Sequence, residues 1–371
     1  AATALLGGEA TAQAAYHVIP DLGRPADITP DGRYVVGRGQ NPASMEFEGF
    51  IWDWHNDPSP SYVLGACSPG AISDDGTVVA GNYEDPISGD DLPGRWTQAT
   101  GWVTIGGTQE LCGYSSAYDM SGDGEVIVGL QWQGCAAYAF RWTQATGMVT
   151  SQDVGTWHLP TGRASAVSRN GLRHAGFVQT TNRAPTIWEA DGTGDLVEPL
   201  EVGEFRGLSA SGDKVYGAMT DQSLPLGTPA QAVEWDVATG TRLVLGSGSA
   251  NGGNWEGNAV GVSNPCNFAD RTVIGRDIQG LGSDAWIWRD DGLGIQRLND
   301  VMAAAGVAGL PALNYIDAIT DDGSTLVGSN AFGDGWIIVL PTGVAEVNPG
   351  CGGNPAGSLS VLCGTPRLGT D

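Results

Sequence analysis

The chain has 371 residues, 58 of them glycine, with 42 acidic side chains against 17 basic ones and a net charge of -25. A surface this negative repels nucleic acid and anionic membranes, which excludes both as partners. No apolar run reaches the length of a membrane span, and a charged fraction of only 16% with so much glycine suits many short strands and tight turns.

Residues 1–15 are small and mostly apolar and carry an A-x-A site, Ala12-Gln13-Ala14, before Ala15. They read as the remnant of a secretory leader or as a retained N-terminal arm, and either points to export. Residues 16–23 then read as an outer strand with no blade in front of it. From there one motif recurs seven times: a small or β-branched pair, a Ser/Thr/acid turn carrying Gly, an apolar run and a closing Gly. Ala26-Asp27-Ile28-Thr29-Pro30-Asp31-Gly32-Arg33-Tyr34-Val35-Val36-Gly37 is one copy. The closing glycines are Gly37, Gly81, Gly129, Gly176, Gly217, Gly275 and Gly328, spaced 41 to 58 residues apart, the period of a four-stranded propeller blade.

Within each period strands A and B form a hairpin whose Asp-Gly or Asn-Gly centre supplies the positive φ of a tight turn. Strand C ends on a tryptophan, at Trp52, Trp96, Trp142, Trp188, Trp235 and Trp288, with Trp336 a displaced seventh. Strand D follows a turn such as Thr97-Gln98-Ala99-Thr100-Gly101. Blades four, five and six replace the Asp-Gly turn with Arg169-Asn170-Gly171, Ser211-Gly212-Asp213 and Asn264-Pro265-Cys266-Asn267. One helix is expected over Leu298–Gly306, capped by Asn299 and stopped by Gly306, as an insertion before blade seven. That last blade has no strand D of its own after Leu340. The fold class is therefore an all-β, seven-bladed propeller of four-stranded blades over residues 16–340, closed by Tyr16 to Asp21 pairing beside Trp336 to Val339. Residues 341–371 form a Gly/Pro-rich tail, either a linker or a docking arm.

The succession A-x-D-I-[ST]-x-D-G, then Ala139-Phe140-Arg141-Trp142, then Thr143-Gln144-Ala145-Thr146-Gly147 and a strand ending in Leu-Gly resembles the extracellular HAF-repeat family. The resemblance covers residues 16–340. It implies a secreted bacterial β-propeller, in a family mostly without assigned activity. The Asp-Gly turns are also similar to sialidase Asp boxes, but the Ser-x-Asp-x-Gly-x-Thr-Trp spacing is absent.

Six cysteines, none in a Cys-x-x-Cys pair, and four scattered histidines (His17, His55, His158, His174) suit disulfides in an oxidising compartment better than a zinc site. Cys67, Cys112 and Cys135 fall on one propeller face; Cys266 falls on the other, where the tail carrying Cys351 and Cys363 begins. Three and three pair completely only if the tail crosses faces; otherwise one thiol stays free or a bond joins two subunits. Cys112 to Cys135 is the expected intrachain bond, which requires Cα atoms within about 7 Å. No cofactor is expected. Calcium on Glu84, Asp85, Asp90 and Asp91 is the one alternative, and it lacks calcium-loop spacing.

The sequence nominates no catalytic residue: it has no Gly-x-Ser-x-Gly elbow, phosphate loop or His-Glu-x-x-His. Asp27 and Asp119 either face the central channel or bond their own turn backbone. Trp132, Trp157 and Trp255 belong to connections on one face, where they either stack on sugar rings or a partner protein, or cap their blades locally. The expected function is a secreted, non-catalytic module that binds polysaccharide or protein at one face, or self-associates into an extracellular assembly through its termini. The alternative is a carbohydrate-active enzyme, a glycoside hydrolase or polysaccharide lyase, on a propeller scaffold.

Overall fold

The computed structural model describes residues 13–151, 161–198, 201–220, 230–246, 256–265, 267–279 and 282–341. Seven sheets, each of four antiparallel strands, follow one another along the chain as a propeller. Their innermost strands A are Arg24–Ile28, Cys67–Ile72, Ser116–Met120, Gly162–Val167, Gly203–Leu208, Glu256–Val262 and Tyr315–Ile319, and all seven contribute to the wall of a central channel. The A–B and C–D turns lie on one face, here the turn face. The B–C loops and the connections from strand D to the next strand A lie on the other, the loop face.

Ring closure follows the expected pairing with shorter bounds. Ala15–Val18 adds to Gly335–Val339 as the outer strand of blade seven, with Tyr16 opposite Ile338 and Val18 opposite Trp336. The strand stops at Val18 rather than Asp21, because Asp21 and Leu22 turn the chain into blade one with φ of 58° and 52°. The closed ring removes the open edges of a linear array.

The repeated motif has a single structural cause. In all seven blades strand A carries a β-bulge, at Ala26, Gly70, Tyr118, Ser165, Arg206, Val260 and Asp317, and the closing glycine of strand B pairs with the residue just before the bulge. A bulge presses backbone into its partner strand. A Cβ on Gly129, for example, collides with the carbonyl of Ser116, and one on Gly217 with that of Glu204. Three residues beyond the bulge stands a buried Ser or Thr whose hydroxyl ties the turn: Ser121 donates to Asp123 at 2.6 Å and accepts from the Val126 N–H at 2.9 Å. Asn170 replaces the aspartate in blade four, accepting from Ser168 at 2.7 Å, so that departure from the motif keeps the turn.

The strand C tryptophans pack between blades, with Trp188 and Trp336 fully buried. Trp336 is displaced because it sits opposite Gly328, the position that Phe50 and Phe140 fill in blades one and three, while Ile338 takes the usual tryptophan place. The helix runs Leu298–Ala304 and buries Leu298 and Met302 in the core of blades six and seven. Gly306 ends the segment with a φ of 87°, but Asn299 is not its cap. Arg297 holds that position, and the Asn299 amide instead pins the following loop, donating to Pro311 and accepting from Leu313.

Candidate functional site in the central channel

Because the bulge puts the seven strands A in one register, the channel is built in tiers. Two residues beyond the bulge, toward the turn face, the lining side chains are Ile28, Ile72, Met120, Val167, Leu208, Val262 and Ile319, an unbroken apolar ring. One residue beyond the bulge stand Asp27 in blade one and Asp119 in blade three. Both line the channel, and both bond backbone, one N–H in their own strand and one in the next blade. Asp27 Oδ1 accepts from the next backbone N–H, Ile28, at 2.8 Å, while Oδ2 accepts from Ile72 of the neighbouring blade at 3.0 Å. Asp119 repeats the pattern with Met120 at 2.8 Å and Val167 at 2.7 Å. These staples satisfy N–H groups on the inner edges of blades two and four. Burial pushes Asp27 up to about 6 and Asp119 up to about 7, with the accepted N–H groups acting in the opposite direction.

The turn-face mouth is closed by charge pairing. Arg169, at the blade-four turn departure, reaches Asp74 of blade two at 3.2 Å and Asp321 of blade seven at 2.5 Å. Backbone bonds link neighbouring turns around the same rim: Asp74 N–H to Gly122, Gly122 N–H to Arg169, Asn170 N–H to Ala210 and Asp321 N–H to Pro30. Gly122 is required there, since a Cβ would enter the space of the Arg169 side chain and the Asp74 carboxylate.

The loop-face mouth is different. Arg163 holds Glu204 with two bonds of 2.8 and 2.9 Å, and Ser165 donates to the same carboxylate at 2.6 Å. Arg206 reaches Glu204 at 3.2 Å and Arg183 at 3.6 Å. Phe177 lies under both Arg163 and Arg183, at 5.4 and 4.6 Å from ring to guanidinium, which holds the two cations in place. Arg276, from strand B of blade six, lines the same chamber and makes no ion pair with a described residue; the Tyr315 ring lies 5.5 Å from it. Three guanidiniums thus gather around one carboxylate, with Arg276 a fourth cation on the chamber wall. Burial holds the Arg206 guanidinium below its ordinary range, and Arg163, Arg183 and Arg276 push the same way against Glu204. Opposite stands Asp317, whose carboxyl burial raises to about 7 against the pull of Arg276 and Arg24. The channel as a whole, from the Arg169 rim to the loop-mouth arginines, encloses about 420 Å³, within the range of small-molecule sites.

Of the residues singled out from sequence, Trp132 lies half-buried at the loop face with its ring over Gly113, and its carbonyl accepts from Thr108 at 2.8 Å. Trp157 and Trp255 lie outside the described residues, as do Cys266, Cys351 and Cys363. Cys112 and Cys135 form the expected disulfide, with Cα atoms 5.6 Å apart. Glu110 caps that bridge by accepting from Gly134 and Cys135 N–H groups, and these three residues are the one gathering of metal-type ligand atoms among the described residues, with both sulfurs already bonded to each other. Cys67 is a buried free thiol pushed up to about 12 by burial. Asp85 accepts from the Ser88 N–H and hydroxyl within its own loop. His174 is fully buried, bonded to Ser151 at 2.8 Å and stacked on Trp188, with burial lowering it to about 3, so it is a neutral core residue.

The arginines at the loop mouth were missed. Arg206 alone stands at the bulge position, which reads Ala, Gly, Tyr, Ser, Arg, Val and Asp across the blades; Arg163, Arg183 and Arg276 lie elsewhere in their strands and no column of the repeat marks them.

This geometry defines the class of protein, a seven-bladed β-propeller with four antiparallel strands per blade. No family model matches the chain, and no curated protein matches it. Solved propellers do. Oligogalacturonate lyase from Vibrio parahaemolyticus superposes with a TM-score of 0.57 at 10% identity, covering 90% of this chain and 98% of that one. Kuenenia stuttgartiensis hydrazine synthase gives 0.52 at 15% identity, covering 92% and 100%. The GH74 xyloglucanase from Xanthomonas campestris gives 0.53 at 12% identity, covering 86% and 53%. Likeness at this identity establishes the fold, which hosts unrelated functions.

Proposed function

We propose that the protein is an extracellular, non-catalytic binding module that takes its ligand at the loop face. The observation that carries this reading is the surplus of guanidinium groups at one mouth of the channel in a chain of net charge -25. Scarce cations placed together, with more donors than one carboxylate can use, favour an anionic guest. The same face presents most of the exposed large apolar side chains outside the blade edges: Leu22, Met45, Phe47, Ile87, Leu111, Tyr114 and Phe332, with Ile87 94% and Phe332 92% exposed. The turn face offers Leu172 and Leu293. Asp27 and Asp119 are committed to holding neighbouring blades together, which favours a binding role over acid–base chemistry. The disulfide and the acidic surface suit an oxidising, external medium.

Retention on immobilised acidic and neutral polysaccharides tests the reading. Replacing Phe47, Ile87 and Phe332 together by Ala is expected to lower retention at least tenfold, while Leu172→Ala with Leu293→Ala leaves it unchanged. Equal retention for both variants, with folding intact, rejects the loop face as the binding surface.

A further inference from the structure

Two guanidiniums at the loop mouth have donors to spare. Arg163 is spent on Glu204, but Arg276 has no ion pair among the described residues, and the Arg206 Nε is buried without an acceptor. Both line the same chamber, and each stands in the other's repulsive field, against the pull of Glu204 on Arg206 and of Asp317 on Arg276. A bare inorganic ion would leave most of the channel, about 420 Å³ from mouth to mouth, empty. The rest of the wall is suited to more than charge. The Asp317 carboxyl accepts no hydrogen bond from a described residue, and the Tyr118 ring, with the Arg163 guanidinium 5.6 Å from it, also lines the channel. A guest that satisfies all of this carries one carboxylate, several hydroxyls able to donate to a carboxyl acceptor, and a compact C–H face for an aromatic ring.

We infer that the chamber binds a sugar acid, its carboxylate held by Arg206 and Arg276 and its ring hydroxyls directed at Asp317. The inference rests on the loop face being the ligand-binding one. A free uronic acid and the end of an acidic polysaccharide share this chemistry, and the probes below separate them.

Calorimetry on the full chain, with glucuronate, glucose, a glucuronate oligomer and inorganic phosphate as probes, tests it. Glucuronate is expected to bind at least tenfold more tightly than glucose, and phosphate is expected to compete poorly. An oligomer bound at least as tightly as the monomer assigns the chamber to chain ends; a monomer bound more tightly assigns it to the free acid. Arg206→Gln with Arg276→Gln is expected to abolish the preference for glucuronate over glucose. Should that double variant fail to fold, Arg276→Gln alone, which has no ion pair to lose, is expected to weaken glucuronate at least fivefold. Equal binding of glucose and glucuronate, unchanged binding by the folded variant, or phosphate competing as well as glucuronate overturns the inference. If any of these occurs while polysaccharide retention still depends on Phe47, Ile87 and Phe332, the sugar-acid chamber is wrong and the loop-face reading stands.

Discussion

The two mouths of the channel are made by the same seven strands in the same register, yet one is finished and the other is not. At the turn mouth Arg169 meets two carboxylates and the neighbouring turns bond rim to rim. At the loop mouth three guanidiniums share Glu204, a fourth, Arg276, has no ion pair among the described residues, and a buried Nε has no acceptor. Unpaired buried donors cost about 1–3 kcal/mol each, so an arrangement of this kind persists at the expense of stability. Sites that bind are often left incomplete in this way. The contrast separates residues that hold the ring from residues available to a guest.

The largest predicted effect strikes the frame that both mouths share. Gly129→Ala drives a Cβ into the Ser116 carbonyl opposite the bulge, and is expected to cost more than about 4 kcal/mol or to prevent folding. Gly134→Ala, at a positive φ of 61° with nothing within 4 Å of the new carbon, is expected to cost about 1 kcal/mol. Yield and denaturant unfolding of the two variants check this. A mild Gly129→Ala would mean that the bulge is not what fixes the tiers.

Opening the finished mouth comes next. Arg169→Ala leaves Asp74 and Asp321 without their shared cation and is expected to cost about 1–3 kcal/mol, since all three side chains are partly solvated. Hydrogen exchange at the Gly122 and Asp321 amides is expected to quicken, and no change there would detach Arg169 from the rim bonds.

A smaller effect concerns the staples between the mouths. Asp119 holds its proton in the fold up to about pH 7, whereas an unfolded Asp releases it near 3.8. Folding therefore takes up a proton between those values, and this group's contribution to stability is greatest below about pH 4, declining as pH rises to about 7. Thermal unfolding of the native chain and of Asp119→Asn from pH 4 to 8 checks the sign. The variant, which keeps one acceptor oxygen, is expected to lose the part of the slope that Asp119 supplies, a few °C of Tm. A native chain whose stability rises steadily with pH, and an unaltered slope in the variant, would show Asp119 ionised throughout.

Much of the frame was legible because each repeat states it locally. The Ser/Thr hydroxyl, the Asp-Gly turn and the closing glycine lie within a dozen residues, and the tryptophans mark strand C. Cys112 and Cys135 were legible because the blade phase put both on one face. The bulge was not, because a bulge is a property of pairing; only its glycine is visible in the chain. Asp27 and Asp119 left the channel and turn readings open, and the bond each makes to the next blade was not legible because it depends on how blades pack. The loop mouth was hidden for a different reason. Arg163, Arg206 and Arg276 come from three successive blades and from both inner strand types, and only the packing of blade on blade brings them together. Asn299 misled because an asparagine at a helix start caps only when its neighbours leave its amide free, and here the loop at Pro311 to Leu313 takes it.

The claim that one mouth is structural and the other reserved for a guest is tested most directly without any ligand, by the unfolding free energies of Arg169→Ala and Arg276→Ala measured side by side. Arg169→Ala is expected to lose stability, and Arg276→Ala to lose none or to gain about 0.5–1 kcal/mol from relieved repulsion. An Arg276→Ala variant as destabilised as Arg169→Ala would contradict it, placing the loop-mouth arginine among the residues that hold the ring together.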